Sequence, residues 1–293
     1  MEILRNCWHV CTRGLKTRLI FRDAEDFVYG MNGVAICSHG MKLAVLAFCL
    51  MGNHVHFVLN GEERAVKDFI ASYIKRMGIW IGNRYGETAP LRRIDVLAKP
   101  VLNREQLATV VSYVHRNPLA AGLCTPISYE WSSASVFFSQ RRIKSDWRRL
   151  GEIPPRQVRV ILKTRHEGLP PDWFVNDEGM ILPQCYLRIG YVERLYGRSA
   201  SNYMYSLNTN KDAETEILMM EGMRAFPDET MRQKIPVLCK EHFGKDSFDS
   251  LEMNDKYALA VIMHRQYSCP AKQVSRLTGM DPVVVSRLFG KED

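Results

Sequence analysis

No run of about 18 apolar residues occurs in the chain, so no stretch is long and apolar enough to cross a bilayer as a helix. No C-x-x-C occurs among its eight cysteines (Cys7, Cys11, Cys37, Cys49, Cys124, Cys185, Cys239, Cys269), and Cys7 and Cys11 have no second pair at zinc-finger spacing. Thiols scattered in this way suit a reduced compartment better than a disulfide framework. The opening Met1-Glu2-Ile3-Leu4-Arg5 lacks a secretory pattern, and a cytoplasmic location is the expectation. Phosphate-binding G-x-x-x-x-G-K-[ST], H-E-x-x-H and H-x-H-x-D-H are all absent, as are helicase motifs. Their absence argues against an ATP-driven machine and against the commoner histidine metallohydrolases.

What is present is a basic chain of 293 residues with a formal charge of +8, long enough for about two domains. Residues 1–150 hold 21 Lys and Arg against 12 Asp and Glu; the remainder holds 19 against 20. The cationic surplus therefore lies in the first half. It suits a polyanion, most simply nucleic acid, or else a solvated basic face.

That half contains Leu50-Met51-Gly52-Asn53-His54-Val55-His56-Phe57-Val58-Leu59. Side chains two apart on a strand share a face, so His54 and His56 point the same way, close enough to hold one divalent ion. Two histidines merely hydrogen-bonded within a sheet would show the same pattern. Val55 and Phe57 point to the opposite face and suit a core.

Around this stretch the chain reads as alternating elements. Cys7 to Arg13 is a strand. A helix follows from about 24 to 38, with Asp23 as N-cap, Asp26 at the acid position of a capping box, and Gly40 at its end. Lys42 to Met51 and His54 to Asn60 are strands separated by a Gly52-Asn53 turn. Arg64 to Tyr85 is a helix with Val66, Phe69, Ile70, Tyr73, Ile74, Met77 and Ile81 at helical spacing. Arg92 to Val101 is extended and stopped by Pro100. Asn103 caps a last helix to about Arg116, which Asn117-Pro118 closes. The order β-α-β-β-α-β plus one helix predicts an α+β fold with a ferredoxin-like antiparallel sheet.

Beyond residue 140 the text changes. The expected organisation is residues 1–140 as the first domain, 141–235 as a mainly helical connector, and 236–293 as a C-terminal helix-turn-helix. Asn254 to Gln266 is an amphipathic helix, Pro270 to Leu277 a second, and Thr278-Gly279-Met280 a turn. Asp281 then caps a third helix. Such a pair can place its last helix in the major groove of double-stranded DNA, with Ser286, Arg287 and Lys291 facing bases and Lys272 and Arg276 near phosphates. A plain helical bundle for contacts between proteins has the same pattern.

Tyr113 and Asn117 lie four apart on the helix of the first half, with Arg116 beside them. A phenol can attack phosphorus, an amide oxygen can ligate a metal, and a guanidinium can hold a phosphate oxygen by two hydrogen bonds. A half-buried tyrosine and an ordinary C-terminal asparagine would share this spacing.

Together, these segments carry a resemblance. Trp8-His9-Val10-Cys11-Thr12-Arg13-Gly14, Ile20-Phe21-Arg22-Asp23, Met51 to Phe57, Tyr113 to Leu123 and Tyr129-Glu130-Trp131-Ser132-Ser133 stand in the order and spacing of the REP-associated tyrosine transposases. That family is a branch of the single-tyrosine HUH endonucleases. The similarity spans roughly residues 5–138; Gly52 stands where the family usually has proline. The C-terminal helices resemble, more loosely, the helix-turn-helix appended to some members.

The resemblance implies an HUH domain in which His54, His56 and Asn117 hold Mg²⁺ or Mn²⁺ and Tyr113 is the nucleophile. Two imidazoles and an amide oxygen lean towards Mn²⁺. It implies cleavage of single-stranded or hairpin DNA through a 5′-phosphotyrosine, with Arg13 and Arg116 as DNA contacts. It leaves open a monomer or a homodimer, and it implies no membrane partner. A phenol has an ordinary pKa of about 10, and the sequence offers no convincing base; His115 points elsewhere on its helix. Three other readings compete: a non-catalytic DNA-binding regulator, a rolling-circle initiator or relaxase, and an unrelated histidine metallohydrolase.

Overall fold

The computed structural model describes residues 6–12, 19–87, 91, 94–139, 147–164, 168–209, 228–267 and 269–289. The chain divides into two compact units, Met1–Lys211 and Asp212–Asp293.

In the first unit, β1 (Cys7–Thr12), β2 (Leu43–Met51), β3 (His54–Gly61) and β4 (Val96–Val101) form one sheet in the order β2-β3-β1-β4. Every neighbouring pair is antiparallel. With α1 (Ala24–Ser38) between β1 and β2 and α2 (Glu63–Tyr85) between β3 and β4, this is the split unit expected from the sequence. α3 (Arg104–Ala120) follows β4.

The apolar run of β2 is nearly continuous because both faces of the sheet are covered. On one face Phe57 meets Phe69 and Tyr73 of α2 edge-on, at ring separations of 5.2 and 5.1 Å. On the other lies α3, whose Tyr113 meets His9 and His56.

Two expected helix and strand ends differ in the structure. β4 continues through Pro100 to Val101. It is the outermost strand, where a residue without an N–H removes no bond that an inner partner needs. α3 continues through Asn117-Pro118 to Ala120. Proline leaves the Val114 carbonyl without its helical donor, and Asn117 Nδ2 approaches that oxygen at 3.4 Å and the Tyr113 oxygen at 3.1 Å.

α1 begins as expected, with Asp23 accepting from the Asp26 amide at 3.1 Å. The capping box does not close on Asp23, however. The Asp26 carboxylate accepts from the amide of Arg22 and, wholly buried, also from Trp80 Nε1 (2.7 Å), Arg84 Nη1 (2.6 Å) and Tyr85 OH (2.8 Å). A buried carboxylate is tolerable when its oxygens are this fully engaged.

The outer edge of β2 is covered by later chain. Leu50 N donates to Trp131 O at 2.9 Å, Ser133 N to Phe48 O at 3.0 Å, and Tyr129 OH to Leu50 O at 2.8 Å. Trp131 also stacks on Phe27 of α1 at 4.9 Å. The Tyr129–Ser133 segment is thus a protected edge, satisfying ladder groups that would otherwise be open.

The region after residue 147 packs on this core. It contains the strand pair β5 (Arg148–Arg149) and β6 (Phe174–Val175) and the helices α4 (Pro155–Ile161), α5 (Ile189–Leu195) and α6 (Ala200–Thr209). Leu150, Ile153, Leu162, Val175 and Ile181 bury against Ala35 and Ile36 of α1. Buried Asn32 fixes the register: its Nδ2 donates to Gly179 O at 2.8 Å and its Oδ1 accepts from Ile181 N at 2.7 Å.

The second unit is helical among its described residues: α7 (Asp228–Phe243), α8 (Met253–Tyr267), α9 (Ala271–Thr278) and α10 (Pro282–Phe289). The expected break after residue 235 falls inside α7, which carries Pro236 in its interior. Met231, Ile235, Leu238 and Cys239 of that helix share a core with Leu259, Met263, Val274 and Val285. The α9–α10 turn follows the sequence. Gly279 takes φ 71°, the left-handed region where glycine carries no Cβ penalty. Asp281 Oδ1 accepts from Val283 N at 2.7 Å and Val284 N at 3.2 Å, capping α10.

Candidate functional site

β1 and β3 lie side by side with Cys11 opposite His56, so the alternation of both strands places Cys7, His9 and Cys11 on the face that carries His54 and His56. α3 lies on that same face and brings Tyr113. Its ring stands edge-on to His9 and to His56, each at 5.6 Å between centroids. The His54 and His56 rings are 4.9 Å apart and perpendicular. Two strands and a helix therefore bring three imidazoles, a thiol, a phenol and a carboxamide together.

Each polar group is oriented by a neighbour. His54 Nδ1 is 2.7 Å from Asn53 Oδ1. An amide oxygen only accepts, so Nδ1 carries the hydrogen and the lone pair of His54 is on Nε2. His9 Nε2 and His56 Nδ1 are 3.3 Å apart, one donating to the other. The Asn117 nitrogen is turned to the carbonyls of its own helix, and the side chain lies near enough to His56 to oppose the fall of its pKa.

His9, His56 and Tyr113 are buried, whereas His54 and Asn117 are half-buried and form the accessible rim. Burial pushes the His9 pKa down to about 3. It holds His56 well below the usual histidine range, helped by His54 and His9 and opposed by the Asn117 side chain. Both rings are therefore neutral, the form in which an imidazole offers a lone pair to a metal.

Among the described residues, His9, Cys11 and His56 form a group whose donor atoms all lie within 4.8 Å of one another. The sequence reading missed His9 and Cys11. Their signal was there, in the alternation of Cys7-Trp8-His9-Val10-Cys11; what it lacked was the pairing of β1 with β3.

The expected DNA contacts fare differently. Arg116 is not brought to the site: its guanidinium is buried and donates to Leu207 O of α6 at 2.6 Å, because that side of α3 is covered by α5 and α6. Arg13 and Lys291 lie outside the described residues. Lys272, Ser286 and Arg287 are exposed. Arg276 is exposed too but forms a two-pronged ion pair with Asp228 of α7, Nη2–Oδ1 2.7 Å, which holds the Asp228 carboxyl down at about 2.

Several arginines of the first unit are likewise engaged. Arg22 pairs with Glu87, Arg84 with Asp23, Glu25 and Asp26, and Arg76 and Arg104 donate to backbone oxygens. These side chains are held in place by their partners, although the ion pairs leave the net surplus itself unchanged.

Gly52, where the resembling family usually has proline, contributes through its carbonyl, which accepts from Ile20 N at 2.7 Å and Phe21 N at 3.0 Å. A Cβ there would meet Leu19 Cδ2 at 3.4 Å, an ordinary contact, so nothing at this position demands glycine.

Comparison with known proteins finds no family model and no curated protein that matches the chain. A solved structure described as a REP-associated tyrosine transposase bound to a REP hairpin is similar over 50% of this chain and 96% of its own. The identity is 10% and the TM-score 0.36. A likeness at that score decides neither fold nor chemistry.

Proposed function

We propose that this chain is a metal-dependent single-stranded DNA endonuclease and strand transferase, with Tyr113 as its nucleophile. The observation that carries the reading is the meeting of Tyr113, on a helix, with the His54–His56 pair, on a strand of the facing sheet. The sequence resemblance to the REP-associated tyrosine transposases supports it independently of that geometry.

The donor set fits a divalent cation. His54, His56 and Asn117 would hold it, through two neutral imidazoles and one amide oxygen. Nitrogen donors of this kind favour Mn²⁺ over Mg²⁺, although either serves hard phosphate oxygens. When bound, the ion withdraws electron density from the scissile phosphate. The residues do the rest. The Tyr113 oxygen forms a bond to phosphorus as the bond to the 3′ oxygen breaks. The phenol gives up its proton to solvent, and the departing 3′ oxygen gains one. The product is a 5′-phosphotyrosine and a free 3′-OH, and the retained ester lets another 3′-OH reverse the step. α3 fixes the approach of the phenol, which is the part that in-line attack requires.

The substrate in this reading is single-stranded DNA next to a hairpin. The second unit would add contacts to double-stranded DNA through α9 and α10, with Lys272, Ser286 and Arg287 outward. This assigns the chain to the cytoplasm, at the nucleoid. One observation favours a second reading, a DNA-binding regulator without catalysis: Tyr113 is only 4% exposed, so a strand reaches it only when its cover moves.

The test is cleavage of labelled hairpin-flanked single strands with Mn²⁺ or Mg²⁺. His54→Ala and His56→Ala variants are expected to lose cleavage while keeping the wild-type circular dichroism. Undiminished metal-dependent cleavage by the double variant would refute the assignment.

A further inference from the structure

The His56 ring has two sides. One meets His9 and, across the β1–β3 pair, Cys11; Asn117 and the half-exposed His54 form the rim. The inner group is buried throughout: Cys11 is 1% exposed, His9 5% and His56 0%.

We propose that His9, Cys11 and His56 form a soft-metal site of their own, taking a zinc-type cation through two imidazole nitrogens and a thiolate. Three observations carry it. First, the spacing of the two nitrogens fits, and all three donor atoms lie within 4.8 Å of one another. Tetrahedral zinc with bonds to nitrogen of about 2.0–2.1 Å sets its nitrogen ligands roughly 3.3–3.4 Å apart; His9 Nε2 and His56 Nδ1 are already at 3.3 Å. Second, the placement is rigid. Cys11 and His56 are direct cross-strand partners, and His9 is two residues along the same face, so no loop has to order. Third, the donor chemistry is selective. A thiolate with two imidazoles suits zinc and cobalt, and it suits Mg²⁺ poorly. On binding, the Cys11 thiol releases its proton to solvent, whichever ring donates in the His9–His56 hydrogen bond moves its hydrogen to its other ring nitrogen, and the cation stabilises the thiolate in a site that would otherwise disfavour a charge. Three protein donors leave one tetrahedral position for water.

A neutral imidazole has one lone pair to give. An ion that takes the Nδ1 lone pair of His56 therefore removes this ring from the set with His54 and Asn117, and zinc would oppose Mn²⁺-dependent cleavage. That consequence alone rests on the function proposed above.

The experiment is Co²⁺ titration of the full, reduced, metal-free chain, read by absorption. Wild type is expected to bind Co²⁺ with a thiolate-to-cobalt charge-transfer band in the near ultraviolet. Cys11→Ser should lose the band, and Cys49→Ser, which alters the buried thiol on the other side of His56, should keep it. His9→Gln, a second variant in case Cys11→Ser does not fold, should keep the band but bind Co²⁺ about a hundredfold more weakly, since even outer neighbours of ligands cost 10–100-fold. No charge-transfer band in wild type, or one that survives Cys11→Ser, would overturn the site. The band does not depend on DNA cleavage: a band without cleavage would sustain the site and count against the proposed function, and cleavage without a band would do the reverse.

Discussion

Burial is the first cause that keeps His9, His56 and His115 neutral, and the three serve different ends. His115 is structural. Its Nε2 is 2.8 Å from Ser133 Oγ and its Nδ1 2.8 Å from Tyr203 OH, so the ring joins α3 to the β2 edge segment and to α6. Burial lowers its pKa to about 3. The sign of the linkage follows. Below the ordinary histidine value of about 6.5 the unfolded chain binds a proton that the folded ring refuses, so stability is full above that pH and falls as pH drops towards 3. Between pH 7 and pH 4.5 one such ring costs about 2–3 kcal/mol. Urea unfolding at the two pH values should show His115→Gln with a smaller pH dependence than wild type by about that amount; equal slopes would mean that His115 is not held neutral.

The shared face of His54 and His56 was legible in the sequence at this scale, because period two is a local property, whereas Tyr113 stood out only through the family resemblance. His9 was not legible, since its role depends on which strand lies beside β3.

At the scale of the element, α3 shows what local rules leave out. They read Asn117-Pro118 as a stop. The helix continues past Pro118, with the Asn117 amide nitrogen approaching the Val114 carbonyl that proline leaves without a donor and also bonding Tyr113 O, while the same side chain lies near His56. Asn117→Asp separates the two tasks. It keeps an oxygen at the rim and adds charge, but removes both donor bonds to Tyr113 O and Val114 O. Thermal unfolding is expected to show a loss of about 1–3 kcal/mol, and calorimetric Mn²⁺ titration a tighter site. Weaker metal binding and unchanged stability together would contradict both assignments. β4 gives the same lesson: Pro100 reads as an end, but an outermost strand tolerates it. The capping residues Asp23, Asn103 and Asp281, by contrast, act where the sequence places them, because a cap is decided within four residues.

At the scale of the whole molecule, residues 147–209 were the least legible part. Their attachment combines an apolar cluster with long-range polar anchors such as Asn32 with Gly179 and Ile181, and Arg116 with Leu207, which leave no periodic trace in the sequence. They belong to the compact unit that ends at Lys211. A fragment of residues 1–211 is therefore expected to fold and to cleave a short single strand, whereas a cut at residue 140 should remove the cover of α3. Without the second unit, affinity for longer DNA should fall, and its dependence on salt should weaken as phosphate contacts are lost. Filter-binding across a salt series, with cleavage measured in parallel, checks this. A folded fragment with no cleavage would show that the second unit takes part in the chemistry.

The most direct measurement is of the covalent bond itself. Labelled single-stranded DNA carrying hairpins is incubated with the full chain and Mn²⁺, resolved under denaturing conditions, and the adducted peptide is sequenced by mass spectrometry. The expected result is a 5′-phosphotyrosyl adduct on Tyr113, dependent on the metal, and none with Tyr113→Phe, which keeps the ring that packs against His9 and His56. An adduct on another tyrosine, or none over a broad panel of hairpin strands, would contradict Tyr113 as the nucleophile.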